Sequence, residues 1–134
     1  MLSKRKIREN TIKLLFGYEF NLEKSKEEYY ALSIDNDSIQ DDEDENVKSI
    51  FFGVIDNLKE IDNLISNNLS KWTINRISKV TLSILRLSVY EMKYLNLAPA
   101  ISINEAVEIS KVYAEDGATK YINGVLNNIS KIGN

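Results

Sequence analysis

Apolar residues recur at spacings of three and four along most of the chain, a period that predicts an all-α protein. The cleanest run is Val47, Ile50, Phe51, Val54, Ile55, Leu58, Ile61, Ile65 and Leu69, which predicts one long amphipathic helix from about Glu45 to Asn68. Upstream, Ser3 is positioned to cap a first helix that reaches about Phe20. Ile7, Leu14, Leu15 and Tyr18 fall on one stripe of it, and Ile12, Phe16 and Phe20 on another, so this helix is expected to make contacts on more than one side. A short helix over 24–33 centres on Tyr29, Tyr30 and Leu32.

Beyond the long run, Trp72 lies in a connector and is expected to close the core, and Thr73 is placed to cap a short turn from Ile74 to Ser78. From about Lys79 to Leu95, apolar side chains surround nearly the whole helical circumference, from Val80 through Leu85 and Val89 to Met92. A helix apolar all round is buried at the centre of a bundle. Arg86 and Glu91 on that helix then need partners, because an unpaired buried charge is costly. Asn96 to Ala100, with the chain's single proline Pro99, reads as a turn. Ser102-Ile103-Asn104-Glu105 has the form of a capping box opening a helix to about Tyr113, with Ile103, Ala106, Val107 and Ser110 facing inward. Glu115-Asp116-Gly117 breaks that helix, and a last one from about Thr119 to Lys131 buries Ile122, Val125, Leu126 and Ile129. Gly124 within it costs about 1 kcal/mol relative to alanine, which predicts a second helix passing close by.

Composition narrows the chemistry. A chain of 134 residues suits one domain. It contains neither cysteine nor histidine, which removes disulfides, imidazole bases, Ser-His-Asp triads and Cys or His metal sites. The densest carboxylates sit in an acidic stretch at about 33–46, where nothing buries them to tune their pKa and nothing fixes an octahedral set around magnesium. That stretch is expected to be a loop, either a solvated linker or an acidic partner-binding segment. Neither a Walker motif nor a dinucleotide-binding glycine pattern occurs, so the chain reads as a non-enzyme without cofactor, resident metal or small-molecule substrate. No apolar run is long enough for a membrane span, and the basic start is not followed by the apolar segment of a signal peptide, so a cytoplasmic protein is expected.

The formal net charge of −3 hides a basic beginning: Lys4, Arg5, Lys6, Arg8 and Lys13 precede residue 14 with Glu9 as the only acid. On a helix, Lys4 and Arg8 are four apart and Arg5 and Arg8 three apart, so they share one polar side that can meet phosphates. The alternative is a merely solvated basic face. Tyr121, near the start of the last helix, is an available base-stacking group, or else a core residue.

Three phrases in order carry a resemblance: Arg86-Leu87-Ser88-Val89-Tyr90-Glu91, then Ile103-Asn104-Glu105-Ala106, then Tyr121-Ile122-Asn123-Gly124-Val125-Leu126. With Arg5-(x)2-Arg8 and Leu14-Leu15-Phe16 near the start, the chain resembles the bacterial transcription antitermination factor NusB family. The resemblance implies six to seven helices in two small helical-bundle subdomains, at roughly 1–70 and 71–134. It implies binding of single-stranded boxA RNA in ribosomal RNA leader transcripts together with the ribosomal protein NusE, on RNA polymerase with other Nus factors. By position it implies RNA contacts at Lys4, Arg5, Lys6, Arg8, Asp116, Lys120 and Tyr121, and a NusE surface at Phe16 and Thr81. Thr81 departs from the acidic residue that occurs there in relatives, and Tyr121 stands where phenylalanine is frequent. Relatives of this kind occur as monomers and as dimers, so a homodimer remains an alternative. The rival functions are a protein-only helical adaptor and an RNA-binding accessory factor in ribosomal RNA maturation.

Overall fold

The Ser3 hydroxyl accepts a hydrogen bond from the Lys6 amide at 3.1 Å, and this cap opens the first helix, α1 (Lys4–Tyr18). The computed structural model describes residues 3–35, 44–69 and 73–133. Among them are seven α-helices and no strand: α2 (Lys26–Asp35), α3 (Asp44–Asp56), α4 (Leu58–Ser66), α5 (Lys79–Lys93), α6 (Pro99–Tyr113) and α7 (Ala118–Ser130) follow α1, with a single 3-10 turn at Ile74–Arg76. The chain divides into two compact units, residues 1–56 and 57–134, earlier than the expected division near residue 70.

In the first unit, α1 packs on α2 and α3. Its centre is aromatic: Phe51, fully buried, lies 5.8 Å from the rings of both Tyr18 and Tyr29. The Tyr29 hydroxyl donates to the Leu14 carbonyl at 3.0 Å. It occupies the space that a Cβ on Gly17 would need, so the close approach to a helix glycine occurs here. Both ends of the stretch expected to be an acidic loop are helical, since α2 continues through Asp35 and α3 begins at Asp44; residues 36–43 lie outside the described residues.

The long helix expected over 45–68 is two helices. Asn57 leaves helical geometry (φ −114°, ψ 18°) and stands at the N-cap of α4. Its side chain makes no cap bond, while its carbonyl accepts from the Ile61 amide at 3.0 Å and so opens α4; the apolar period runs through this backbone break without marking it.

In the second unit, α5 packs against α4, α6 and α7. Its residues 81–89 are all buried, as a helix apolar on every side requires. Ser78 caps α5 by accepting from the Thr81 amide at 3.1 Å, whereas Thr73 makes no side-chain cap bond. Trp72 lies outside the described residues.

The two buried charges on α5 find polar company. Arg86 makes two hydrogen bonds to Asp62 on α4, Nε to Oδ1 at 2.9 Å and a terminal nitrogen to Oδ2 at 2.8 Å. Glu91 Oε1 accepts from the Ser102 hydroxyl at 2.9 Å. That bond corrects the expected capping box. The helix begins earlier, at Pro99, whose fixed φ and missing N–H suit the first turn, and Ser102 is an interior residue with no exposed surface. Gly124 is a second correction: it is exposed, and a Cβ built there meets nothing within 4 Å.

Candidate nucleic-acid interface

The basic start divides according to helical phase. Lys4, Arg5 and Lys6 are exposed, with the Lys6 amine 3.9 Å from the Glu9 carboxylate. Arg8 is only 9% exposed. It shares the spacing of Thr11, Ile12 and Leu15, all buried, and so follows the inward stripe of α1 rather than the outward one. The expected basic face is therefore a patch of three outward cations with Arg8 set into the helix's packed side.

Further along α1, Phe16 is 37% exposed, and its ring meets that of Phe20 edge to face at 5.2 Å. Phe20 and Leu22 are 63% and 61% exposed. Phe16 and Phe20, four apart, lie off the buried stripe and extend an apolar patch into solvent. The sequence pattern assigned Phe20 to packing, so its exposure beside Phe16 was not foreseen.

The second unit holds a cavity of about 350 Å³ lined by Arg76, Ser78, Thr81, Glu115, Asp116 and Tyr121, among others. The chain reaches it through Gly117, whose φ of 89° is left-handed, a region glycine enters without a Cβ clash, and which lets α7 start directly after the acidic pair. Thr81, 3% exposed, donates through its hydroxyl to Glu115 Oε1 at 2.6 Å, and Ser78 donates to the same oxygen at 3.2 Å. The Thr81 bond is the first cause that holds the Glu115 carboxyl below its ordinary pKa of 4.5. Thr81, Asp116 and Tyr121 thus share one cavity, whereas Lys120 is exposed on α7 and is not among its lining residues.

Tyr121 is half-buried, and its hydroxyl, wholly buried, has no hydrogen-bond partner among the described residues. Burial pushes its pKa above the usual phenol value. A buried hydroxyl without a partner beside an open cavity is suited to a ligand that supplies the missing bond. Glu115, read from sequence only as a helix break, is the functional candidate that pattern reasoning missed; its proximity to Thr81 is a tertiary contact between residues 34 apart. No group of His, Cys, Asp and Glu able to hold a metal occurs among the described residues. No helix among them is long and apolar enough to cross a membrane.

An all-helical fold with a basic helix start, exposed aromatic rings and an open cavity presents the surfaces of a binding protein. The NusB family model matches residues 5–131, and the chain belongs to that family. It is 43% identical over 133 residues to transcription antitermination protein NusB of Listeria monocytogenes serotype 4a (strain HCC23), covering 96% of this chain and 97% of that protein. It resembles the solved structure of T. maritima NusB with a TM-score of 0.85 and 33% identity, covering 97% of this chain and 92% of that one. A crystal structure of antitermination factors NusB and NusE in complex with dsRNA matches with a TM-score of 0.81 and 27% identity over 96% of each chain. Family membership makes the protein a transcription antitermination factor rather than an enzyme.

Proposed function

We propose that the protein binds single-stranded boxA-type RNA of ribosomal RNA leader transcripts jointly with NusE, and that this assembly acts with RNA polymerase and other Nus factors in the cytoplasm to suppress termination. The observation that carries this reading is the match, over 96% of each chain, to a NusB captured with NusE and dsRNA. A single strand is favoured for this chain because the half-buried Tyr121 ring and the open cavity beside it suit an unstacked base.

Within this reading, Lys4, Arg5 and Lys6 meet phosphates and Arg8 steadies the helix that carries them. Lys120 adds a further phosphate contact, and Tyr121 stacks on a base while its hydroxyl gains the partner it lacks within the chain. Asp116 sits on the path of the strand and limits affinity through repulsion. Phe16, extended by Phe20, offers the apolar surface for NusE. Thr81 contributes by holding Glu115, so that a carboxylate is supplied at this position by the loop before α7.

The test is fluorescence anisotropy with boxA and scrambled RNA over a series of salt concentrations. Each phosphate contact contributes about 0.7 to the log–log salt slope for a single strand. Arg5→Ala is expected to weaken binding and flatten the slope by about that amount, and Asp116→Asn to strengthen binding. Equal affinity for both RNAs, with Arg5→Ala indistinguishable from the parent, contradicts the reading. The exposed Phe16–Phe20 pair favours a second reading, a protein-only adaptor, which would bind NusE and leave RNA free.

A further inference from the structure

Helix α7 presents an outward face that the fold itself does not explain. Lys120, Gly124, Asn127 and Lys131 recur at spacings of four, three and four, and all are exposed. At 3.6 residues per turn they fall within about 60° of one another and span about 16 Å. Two of the four are unfavourable for an isolated helix. Gly124, in the interior of α7, has open space where a Cβ would stand, so no packing contact among the described residues requires it. Lys120 lies in the first turn, against the positive end of the helix dipole, and that turn has no acidic residue to offset it.

The chemistry of the face is uniform. α7 contains no Asp or Glu; its exposed side chains are Lys120 and the amides of Asn123, Asn127 and Asn128, and Lys131 follows as its C-cap. Asn127 Nδ2 donates to the Asn123 carbonyl at 2.9 Å and to Asn123 Oδ1 at 3.1 Å, which orders this amide pair along the stripe. Beside it runs a groove of about 370 Å³ between α6 and α7, where Asn104, Asn123 and Asn127 supply amides and Ile103 and Val107 an apolar floor. In a molecule of net charge −3, an acid-free helix face with lysines at both ends is complementary to a polyanion.

We infer that the Lys120–Gly124–Asn127–Lys131 face of α7 is a track for the sugar-phosphate backbone of a single RNA strand, carrying it from Tyr121 toward the C-terminal end of the helix. The inference rests on the RNA-binding reading above and extends it beyond the residues assigned there. Lys120 and Lys131 neutralise phosphates at the two ends. The amides between them hydrogen-bond ribose hydroxyls, which both donate and accept. Gly124 lets the strand approach the helix backbone at the midpoint, where any side chain would hold it away.

The experiment compares Gly124→Ala, Lys131→Gln, Arg5→Ala and the unaltered protein by thermal unfolding and by anisotropy with labelled single-stranded boxA RNA. Gly124→Ala removes a helix-breaking residue, so its Tm is expected to rise by roughly 2–8 °C while RNA binding weakens several-fold. Lys131→Gln is expected to lower the log–log salt slope by about 0.7. Affinity for purified NusE stays at the parent value in both. Parent affinity for RNA in Gly124→Ala, or an unchanged slope in Lys131→Gln, overturns the inference; loss of NusE binding in Gly124→Ala does so as well, by assigning the face to a protein. If Arg5→Ala loses RNA affinity while these two variants do not, the track fails and the RNA-binding reading stands. Absence of RNA binding by the unaltered protein overturns both.

Discussion

Arg86 is 6% exposed, and its guanidinium faces Asp62 through two parallel hydrogen bonds. Removing the carboxylate takes both of these bonds from a buried cation, so Asp62→Ala is expected to cost about 3–5 kcal/mol of stability in urea unfolding. A change below 1 kcal/mol would mean that Arg86 draws its compensation elsewhere. The sequence announced that Arg86 and Glu91 needed partners but could not name them, since Asp62 and Ser102 lie 24 and 11 residues away on other helices. Glu115 makes a similar point with a titration. Its folded pKa is depressed, with the Thr81 hydroxyl as the leading cause, so the stability it contributes is present above pH 4.5 and is lost as pH falls through its lower folded value. Thr81→Val is expected to return the Glu115 midpoint toward 4.5 in an NMR titration. An unmoved midpoint would reassign the shift to Ser78.

Two glycines in helices have opposite meanings at the scale of the element. Gly17 in α1 is required by the Tyr29 hydroxyl beside it, so Gly17→Ala is expected to lower stability by about 1–3 kcal/mol through overpacking, even though alanine is the better helix former. Chemical denaturation checks the sign, and stabilisation would show that the Tyr29 ring yields freely. Sequence alone favoured Gly124 as the close approach, because a glycine inside a helix signals a demand for space without saying whose. The elements themselves were legible where period alone decides: α5 reads as buried and is buried. They were misread where a local change in the backbone interrupts the period. Asn57 divides what looks like one helix, and Pro99 starts α6 three residues before the Ser102 that mimics a cap. Ser102 instead spends its hydroxyl on Glu91, a use that spacing cannot distinguish from capping.

For the molecule as a whole, the all-α architecture followed from one repeated spacing, and the family from three phrases on α5, α6 and α7. Those phrases contain mainly packing residues: of Arg86 to Glu91, five are buried, and of Tyr121 to Leu126, three. The binding surfaces were less legible, because exposure is a tertiary property. Arg8 turns inward, Phe20 and Leu22 turn outward, and the Thr81–Glu115 cavity exists only once α5 and the loop before α7 are folded together. Net charge gave no warning of these surfaces, since a mildly acidic total includes both a basic start to α1 and an acid-free α7. The central claim is that the protein and NusE recognise RNA as one unit, and the most direct measurement is boxA RNA affinity with and without saturating NusE at fixed ionic strength. The account predicts that NusE tightens RNA binding by about 5- to 150-fold, the usual range of coupling between sites, and that RNA tightens NusE binding by the same factor. Identical RNA affinity in the presence and absence of NusE would contradict it.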